Sequence, residues 1–141
     1  MNTLYETEFF APDKCSRKVG QPKWICFLYE DCYNVQIIKE NALIEPDDAN
    51  AIMDASAELA EGRMLPMLVD MRHVKDVTRE ARSVFQKRAP ETGRAVAMVV
   101  PSMIARLIAN LFLSMNLMPI PIRLFNSCEE AIEWLDNIQR Q

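Results

Sequence analysis

The chain has 141 residues, the size of a single domain, and half of its residues are hydrophobic, which is enough for a full core. Its formal net charge is −4 and its basic residues are scattered, so no basic patch for nucleic acid is visible. With three glycines and one histidine, the sequence excludes a glycine-rich phosphate loop and contains no complete catalytic constellation.

The first part of the chain predicts an N-terminal arm followed by a β-hairpin. Residues 1–22 are mostly polar and contain two prolines and a glycine, with a short strand expected at Glu6–Phe10. Two apolar runs then flank Glu30 and Asp31, a pattern typical of a hairpin turn. We therefore expect an arm over residues 1–22 and a single domain over residues 23–141.

The rest of the chain alternates amphipathic segments with apolar runs. Pro46 suits a first helical position, and Ser127 followed by Glu130 matches a capping box. Helices are expected over 45–62, 78–88, 102–117 and 127–141, and strands over 64–71, 95–100 and 121–125. Strands that alternate with helices at this spacing predict an α/β fold, in which an N-terminal β-hairpin precedes helices and mostly parallel strands.

The stretch MLVDMRHVKDVTREARSVFQ joins an apolar strand that ends at Asp70 to a helix that starts at Thr78. Ligands of open α/β sheets bind beyond the carboxyl ends of the strands, so this turn is a candidate switch that includes Asp70, Arg72, Asp76 and Arg79. Two interpretations of Thr78 stay open: it caps the helix through its hydroxyl, or it accepts a phosphate at the positive end of the helix dipole.

The same stretch resembles the central strand, turn and helix of STAS domains, the SpoIIAA-like family of anti-sigma-factor antagonists. Asp70 and Val74 match the strand-ending Asp of that family and its Val or Leu four residues later. The element order also agrees over roughly residues 24–139. At the helix start the chain reads VTRE where the family reads Asp-Ser-x-Gly, so the phospho-acceptor position implied by the resemblance falls on Thr78 or Arg79.

The C-terminal half is similar to small uncharacterised bacterial STAS/Sec14-like proteins. The matching motifs are Arg106, 110-NLF-112, 124-LF-125 and 129-EEAIEWL-135. The resemblance implies a STAS-like, non-enzymatic regulatory or protein-interaction domain of the bacterial cytoplasm. Because some relatives with this fold are proposed to bind lipids or membranes, the alternative function is the binding of a lipid or another apolar small molecule, or association with a membrane.

The segment 102–117 is apolar over most of its helical circumference, and its polar residues form one narrow stripe. Three interpretations stay open: the segment packs inside the core, faces a second copy in a homodimer, or contacts an apolar ligand or membrane surface. Because it contains Arg106 and lies between two apolar strands, we do not expect it to span a membrane. The interface or ligand residues expected on it are Arg106, Asn110, Leu111, Phe112 and Met115.

Four cysteines without CxxC spacing and a single histidine give no metal-ligand pattern. We expect reduced thiols in a cytoplasmic protein that has no metal and no cofactor. The expected partners are a second copy of the chain, a regulatory protein and, in the alternative function, a lipid.

Overall fold

The computed structural model describes residues 9–101 and 119–140. The described helices are α1 (Pro46–Ala60), α2 (Arg79–Thr92) and α3 (Cys128–Gln139), with a 3-10 turn at Pro12–Lys14. The described strands are β1 (Cys15–Gly20), β2 (Trp24–Tyr29), β3 (Tyr33–Ile38), β4 (Leu43–Ile44), β5 (Leu65–Asp70), β6 (Asp76–Val77), β7 (Gly93–Val99) and β8 (Ile122–Phe125). The expected helix 102–117 lies outside the described residues, and so do its site residues Arg106, Asn110, Leu111, Phe112 and Met115.

Six strands form one sheet in the order β1-β2-β3-β5-β7-β8. The first three are antiparallel neighbours, whereas β3, β5, β7 and β8 run parallel. The two residues predicted for the hairpin turn, Glu30 and Asp31, both have φ of 54°. Two left-handed central residues are what a type I′ turn requires, since that turn follows the twist of the flanking strands. The architecture confirms the α/β prediction of a hairpin followed by mostly parallel strands.

Strand β1 is a feature that the sequence does not predict. Most of its residues are exposed, and three successive ones, Ser16 to Lys18, are polar, so the strand carries no alternation of apolar side chains. It pairs antiparallel with β2, and just before it the fully buried Phe10 packs 5.4 Å from the Phe27 ring centroid. The segment expected to be an arm therefore contributes a strand and a core side chain. Phe9 is helical and Phe10 lies in a bend, so the part of the expected strand Glu6–Phe10 that is described is not extended.

The helices cover the two faces of the sheet. Helices α1 and α2 pack on the face that carries Trp24, Cys26 and Leu28 of β2, and α3 packs on the opposite face with Phe27. Alternate residues of a strand point to opposite faces, so a strand such as β2, covered on both sides, is buried at every position.

The junction between α2 and β7 differs from the prediction. Helix α2 continues past Arg88 to Thr92, with Pro90 inside it, and β7 begins at Gly93, two residues before the expected strand. A Cβ atom at Gly93 would contact the Met67 sulfur and lie 3.0 Å from the Ala89 carbonyl oxygen. The close approach of helix and strand therefore requires a glycine, which explains why the chain passes from helix to strand without a loop.

Candidate functional site

The carboxyl ends of β3 and β5 are followed by two loops that pair with each other. The short strands β4 and β6 align Leu43 with Asp76 and Ile44 with Val77 in parallel. Further backbone bonds join the loops, including Asn41 N to the His73 oxygen at 2.7 Å and the Thr78 N to the Ile44 oxygen at 3.0 Å. We call residues 41–44 and 72–79 the edge platform. Because its two loops share several hydrogen bonds, they form one unit at the edge where α/β sheets bind ligands.

Asp70 is buried, with 1% of its surface exposed, and its carboxylate organises the start of the platform. Its Oδ1 accepts hydrogen bonds from the backbone N of Arg72 at 3.1 Å and from Nε of the same residue at 3.0 Å, while Oδ2 accepts from a terminal guanidinium nitrogen at 2.7 Å. The pair is bidentate, the geometry in which an arginine and a carboxylate interact most strongly. Asp70 thus stabilises the turn by pairing with the cation two residues later.

Arg72 also contacts α3. A terminal guanidinium nitrogen lies 3.8 Å from the sulfur of Cys128, the first residue of that helix. Sequence reasoning does not single out Cys128, because 56 residues separate it from Arg72 and no local pattern indicates that the two side chains meet. The contact connects the turn after β5 to the element that follows β8.

Thr78 occupies the N-cap of α2, and its Oγ1 accepts a hydrogen bond from the backbone N of Ala81 at 3.1 Å. Such a bond satisfies one of the amides left free at a helix start. Arg82, one turn later, donates to the Val77 carbonyl oxygen at 3.0 Å. The hydroxyl is only partly exposed, so its present geometry is that of a cap, and a phosphate there would have to displace the bond to Ala81.

Asp76 and Arg79, the other two residues of the predicted switch, are exposed to solvent. Asp76 accepts a bond from the Val77 amide through Oδ1 at 2.9 Å, and the Arg79 side chain makes no hydrogen bond or ion pair within the described part of the chain. The structure therefore brings Asp70 together with Arg72 but does not join Asp76 or Arg79 to them. The exposed surface of the platform carries charges of both signs around one apolar side chain, Leu43, which is 37% exposed. Its exposed residues are Asn41, Leu43, His73, Lys75, Asp76 and Arg79.

Both carboxylate oxygens of Asp70 already accept bonds from Arg72, which leaves Asp70 poorly placed to take a proton from a substrate. Over residues 9–101 and 119–140, no cluster of three or more His, Cys, Asp or Glu side chains could hold a metal ion. None of the helices in those ranges is long and apolar enough to cross a bilayer.

A separate apolar cavity of about 50 Å³ lies between the sheet and helices α1 and α2. Four of its lining residues are methionines, Met53, Met67, Met71 and Met98, and its one polar lining residue is Gln36. An engineered cavity that binds benzene has a volume of about 150 Å³, so this smaller cavity does not fit an acyl chain unless its walls move. Methionine side chains are flexible and can make such room.

Comparisons with known proteins identify a family and a fold. A family model described as a domain of unknown function, DUF7793, matches residues 35–139. No curated protein matches the chain. A solved uncharacterised protein of the DUF3478 family from Shewanella loihica, described as having a SpoIIAA-like fold, is 14% identical with a TM-score of 0.54, covering 84% of this chain and 90% of its own. An anti-sigma factor antagonist from Mycobacterium paratuberculosis is 14% identical with a TM-score of 0.54, covering 89% of this chain and 97% of its own. These structures confirm the STAS-type, SpoIIAA-like fold.

Proposed function

We propose that this chain, which belongs to the DUF7793 family of domains of unknown function, is a non-enzymatic regulatory domain that binds a protein partner through its edge platform. The observation that carries the proposal is the pairing of β4 with β6, which holds two surface loops together. A preformed surface of this kind costs little conformational entropy when a partner binds. A structurally similar protein described as an anti-sigma factor antagonist supports a regulatory role.

The partner should recognise the exposed charges of the platform around Leu43. Lys75 and Arg79 are both exposed, and both lie in the second segment of the platform, residues 72–79. Charged groups around an apolar centre raise association rates and specificity more than affinity. Like charges brought together at an interface oppose binding, so reversing both charges should weaken the binding of a protein partner strongly while leaving the fold intact.

The test compares Lys75→Glu/Arg79→Glu with a matched control, Lys87→Glu/Arg94→Glu, which makes the same charge change at exposed positions outside the platform. Each protein is immobilised and exposed to lysate of its native host, and retained proteins are quantified by mass spectrometry. We expect a partner that the wild type and the control retain and the platform variant loses. Retention of the same proteins by all three would refute the role of the platform.

Phosphorylation of Thr78 would regulate this contact. A phosphate at the N-cap would add about two negative charges beside the amides of the first helical turn, where the helix dipole favours anions. The test is phosphopeptide mapping after incubation with host lysate and ATP, with Thr78→Ala as the control. If Thr78 is not phosphorylated and the alanine variant loses about 1 kcal/mol of stability, Thr78 acts only as a helix cap.

A homodimer is a further part of the proposal, carried by the sequence of segment 102–117. Large apolar side chains dominate interface cores, which makes Leu111, Phe112 and Met115 the expected anchors. A charge at Phe112 should give a folded monomer by light scattering and circular dichroism. A dimer that persists with Phe112→Asp would contradict this assignment.

The second candidate function is the binding of a lipid or another apolar small molecule, and the methionine-lined cavity favours it. Arg106 and Asn110 are the polar residues expected beside such a ligand. Native mass spectrometry of freshly purified protein tests this function directly. An added mass that organic extraction removes would support it, and a bare protein mass would count against it.

A further inference from the structure

Strand β8 closes the described sheet and pairs only with β7 there. The Val96 amide of β7 bonds to the Pro121 oxygen at 2.9 Å, and the Val100 amide just after β7 bonds to the Phe125 oxygen at 2.8 Å. Backbone groups of a strand alternate between its two sides, so Ile122 and Leu124 direct their N–H and C=O groups away from β7. Within the described residues, no hydrogen bond uses these outward groups.

The opposite edge of the sheet is protected against strand addition. The β1–β2 register is irregular between Ser16 and Val19, and Arg17 has φ of 55°. A bulge and charged side chains are two devices by which edge strands avoid pairing. The β7–β8 register is continuous over all four residues of β8. Of the two edges of the described sheet, β8 is therefore the one open to another strand.

A groove of about 490 Å³ runs between β8 and α3. Phe125 and Trp134 form its aromatic part, with ring centroids 5.6 Å apart, and both are partly exposed. Three other residues on the same side of α3 line it as well: Glu130, Glu133 and Asn137. Their spacing of three and four places them on one helical stripe that faces β8.

The groove is acidic along α3. Glu130 and Glu133 are exposed, and neither forms an ion pair within the described part of the chain. Arg123, the basic residue that lines the groove, has its guanidinium 5.5 Å from the Phe125 ring centroid, on the β8 side. An occupant should therefore place basic side chains toward α3, with the aliphatic stems of those side chains over the aromatic pair.

We propose that an extended, basic segment of a partner protein pairs with the edge of β8 that faces away from β7 and places lysine or arginine side chains along the acidic stripe of α3. The main-chain groups of Ile122 and Leu124 supply hydrogen bonds, and the groove supplies side-chain selectivity, which is how strand addition gives affinity and specificity. A second copy of this chain is the less favourable occupant, because it would bring an identical acidic stripe. This surface is distinct from the edge platform, so the proposal does not depend on the proposed function.

The test uses fluorescein-labelled hexapeptides and the complete chain. The probe alternates lysine and valine; one control alternates lysine and proline with the same charge, and another alternates glutamate and valine. Proline cannot donate main-chain hydrogen bonds, so it separates strand addition from charge attraction. We expect fluorescence anisotropy to show that the lysine–valine peptide binds the chain. Both control peptides should bind at least ~10-fold more weakly.

Matched variants locate the site. Glu130→Gln/Glu133→Gln should weaken the lysine–valine peptide ~10-fold, whereas Glu129→Gln, an exposed neighbour that does not line the groove, should stay within ~2-fold of wild type. Amide NMR should show Ile122 and Leu124 protected from hydrogen exchange when the peptide binds. Equal binding of the proline peptide, an equal loss with Glu129→Gln, unprotected amides, or protection of these amides in a peptide-free dimer would each overturn the proposal.

Discussion

The pair formed by Asp70 and Arg72 gives the sharpest test of how the edge platform is held. We consider the changes Asp70→Asn, Arg72→Met and their combination. Asparagine keeps the size of the side chain and removes its charge, while methionine keeps much of the arginine length and removes the guanidinium. Both changes leave the backbone intact, so any effect reports on the pair and its surroundings.

The expected cost follows from burial. The Asp70 side chain is 1% exposed, so Arg72→Met leaves a buried carboxylate with little more than a backbone amide, at a cost of about 3 kcal/mol. The Arg72 side chain is 20% exposed and can be partly hydrated, so Asp70→Asn should cost less, about 2 kcal/mol. Removing both partners leaves no unpaired charge, and the double variant should lose about 3 kcal/mol rather than the sum.

The free energy of unfolding is measured by urea denaturation, followed by fluorescence of the two tryptophans, of which Trp24 is only 3% exposed. The double-mutant cycle subtracts the contacts that each side chain makes elsewhere. A coupling energy of about 2 kcal/mol is expected, with unchanged m-values. Single effects that add within about 0.5 kcal/mol would show that the bidentate pair contributes nothing specific to the turn.

Three further predictions concern stability and reactivity. Gly93→Ala should cost about 1–3 kcal/mol in thermal unfolding because its Cβ would overlap Met67, whereas Gly20→Ala, with no atom closer than 3.9 Å, should change little. Burial alone would raise the pKa of Asp48, but hydrogen bonds from Lys23 and the Glu45 amide lower it below the ordinary value of 3.8. A carboxyl whose pKa is lowered in the folded state stabilises the fold at pH values above its ordinary pKa, and this stabilisation is lost as the pH falls through the folded-state pKa. The difference in unfolding free energy between wild type and Asp48→Asn should therefore shrink as the pH falls below 3.8. Burial raises the pKa of Cys26 to about 12 against an opposing hydrogen bond with Ser56, so a thiol reagent at neutral pH should modify it only after urea unfolds the chain.

The fold is largely readable from the sequence because its periodic signals are strong. Pro46 marks the start of α1, as expected for a first helical position, and the apolar runs of β5 and β7 lie where a covered parallel sheet requires them. Strand β1 gives no such signal, since it is an exposed edge strand with polar side chains. Short elements such as β4 and β6 depend on pairing between distant loops, which no local pattern records.

Only part of the candidate site can be predicted from the sequence, because contacts between distant segments leave no local pattern. Asp70 and Thr78 are recognisable, because a strand end and a helix start have local residue preferences. The contact between Arg72 and Cys128 and the alignment of Leu43 with Asp76 are properties of the folded chain. Sequence reasoning also does not predict which strands lie at the edges of the described sheet, because the order of the strands depends on how the whole chain folds.

A buried polar contact beneath α1 explains how the platform keeps its position. Ser56 of α1 accepts a hydrogen bond from Gln36 at 2.6 Å through Oγ, and its carbonyl accepts one from Asn34 at 3.0 Å. Sliding α1 by one turn would present Ile52 or Ala60 to Gln36 and leave a buried amide unpaired, at about 1–3 kcal/mol. Since α1 begins two residues after β4, this penalty also opposes displacement of β4 and of the loop that β6 pairs with. The polar contact inside the core therefore stabilises one arrangement of the surface that we propose to bind a partner.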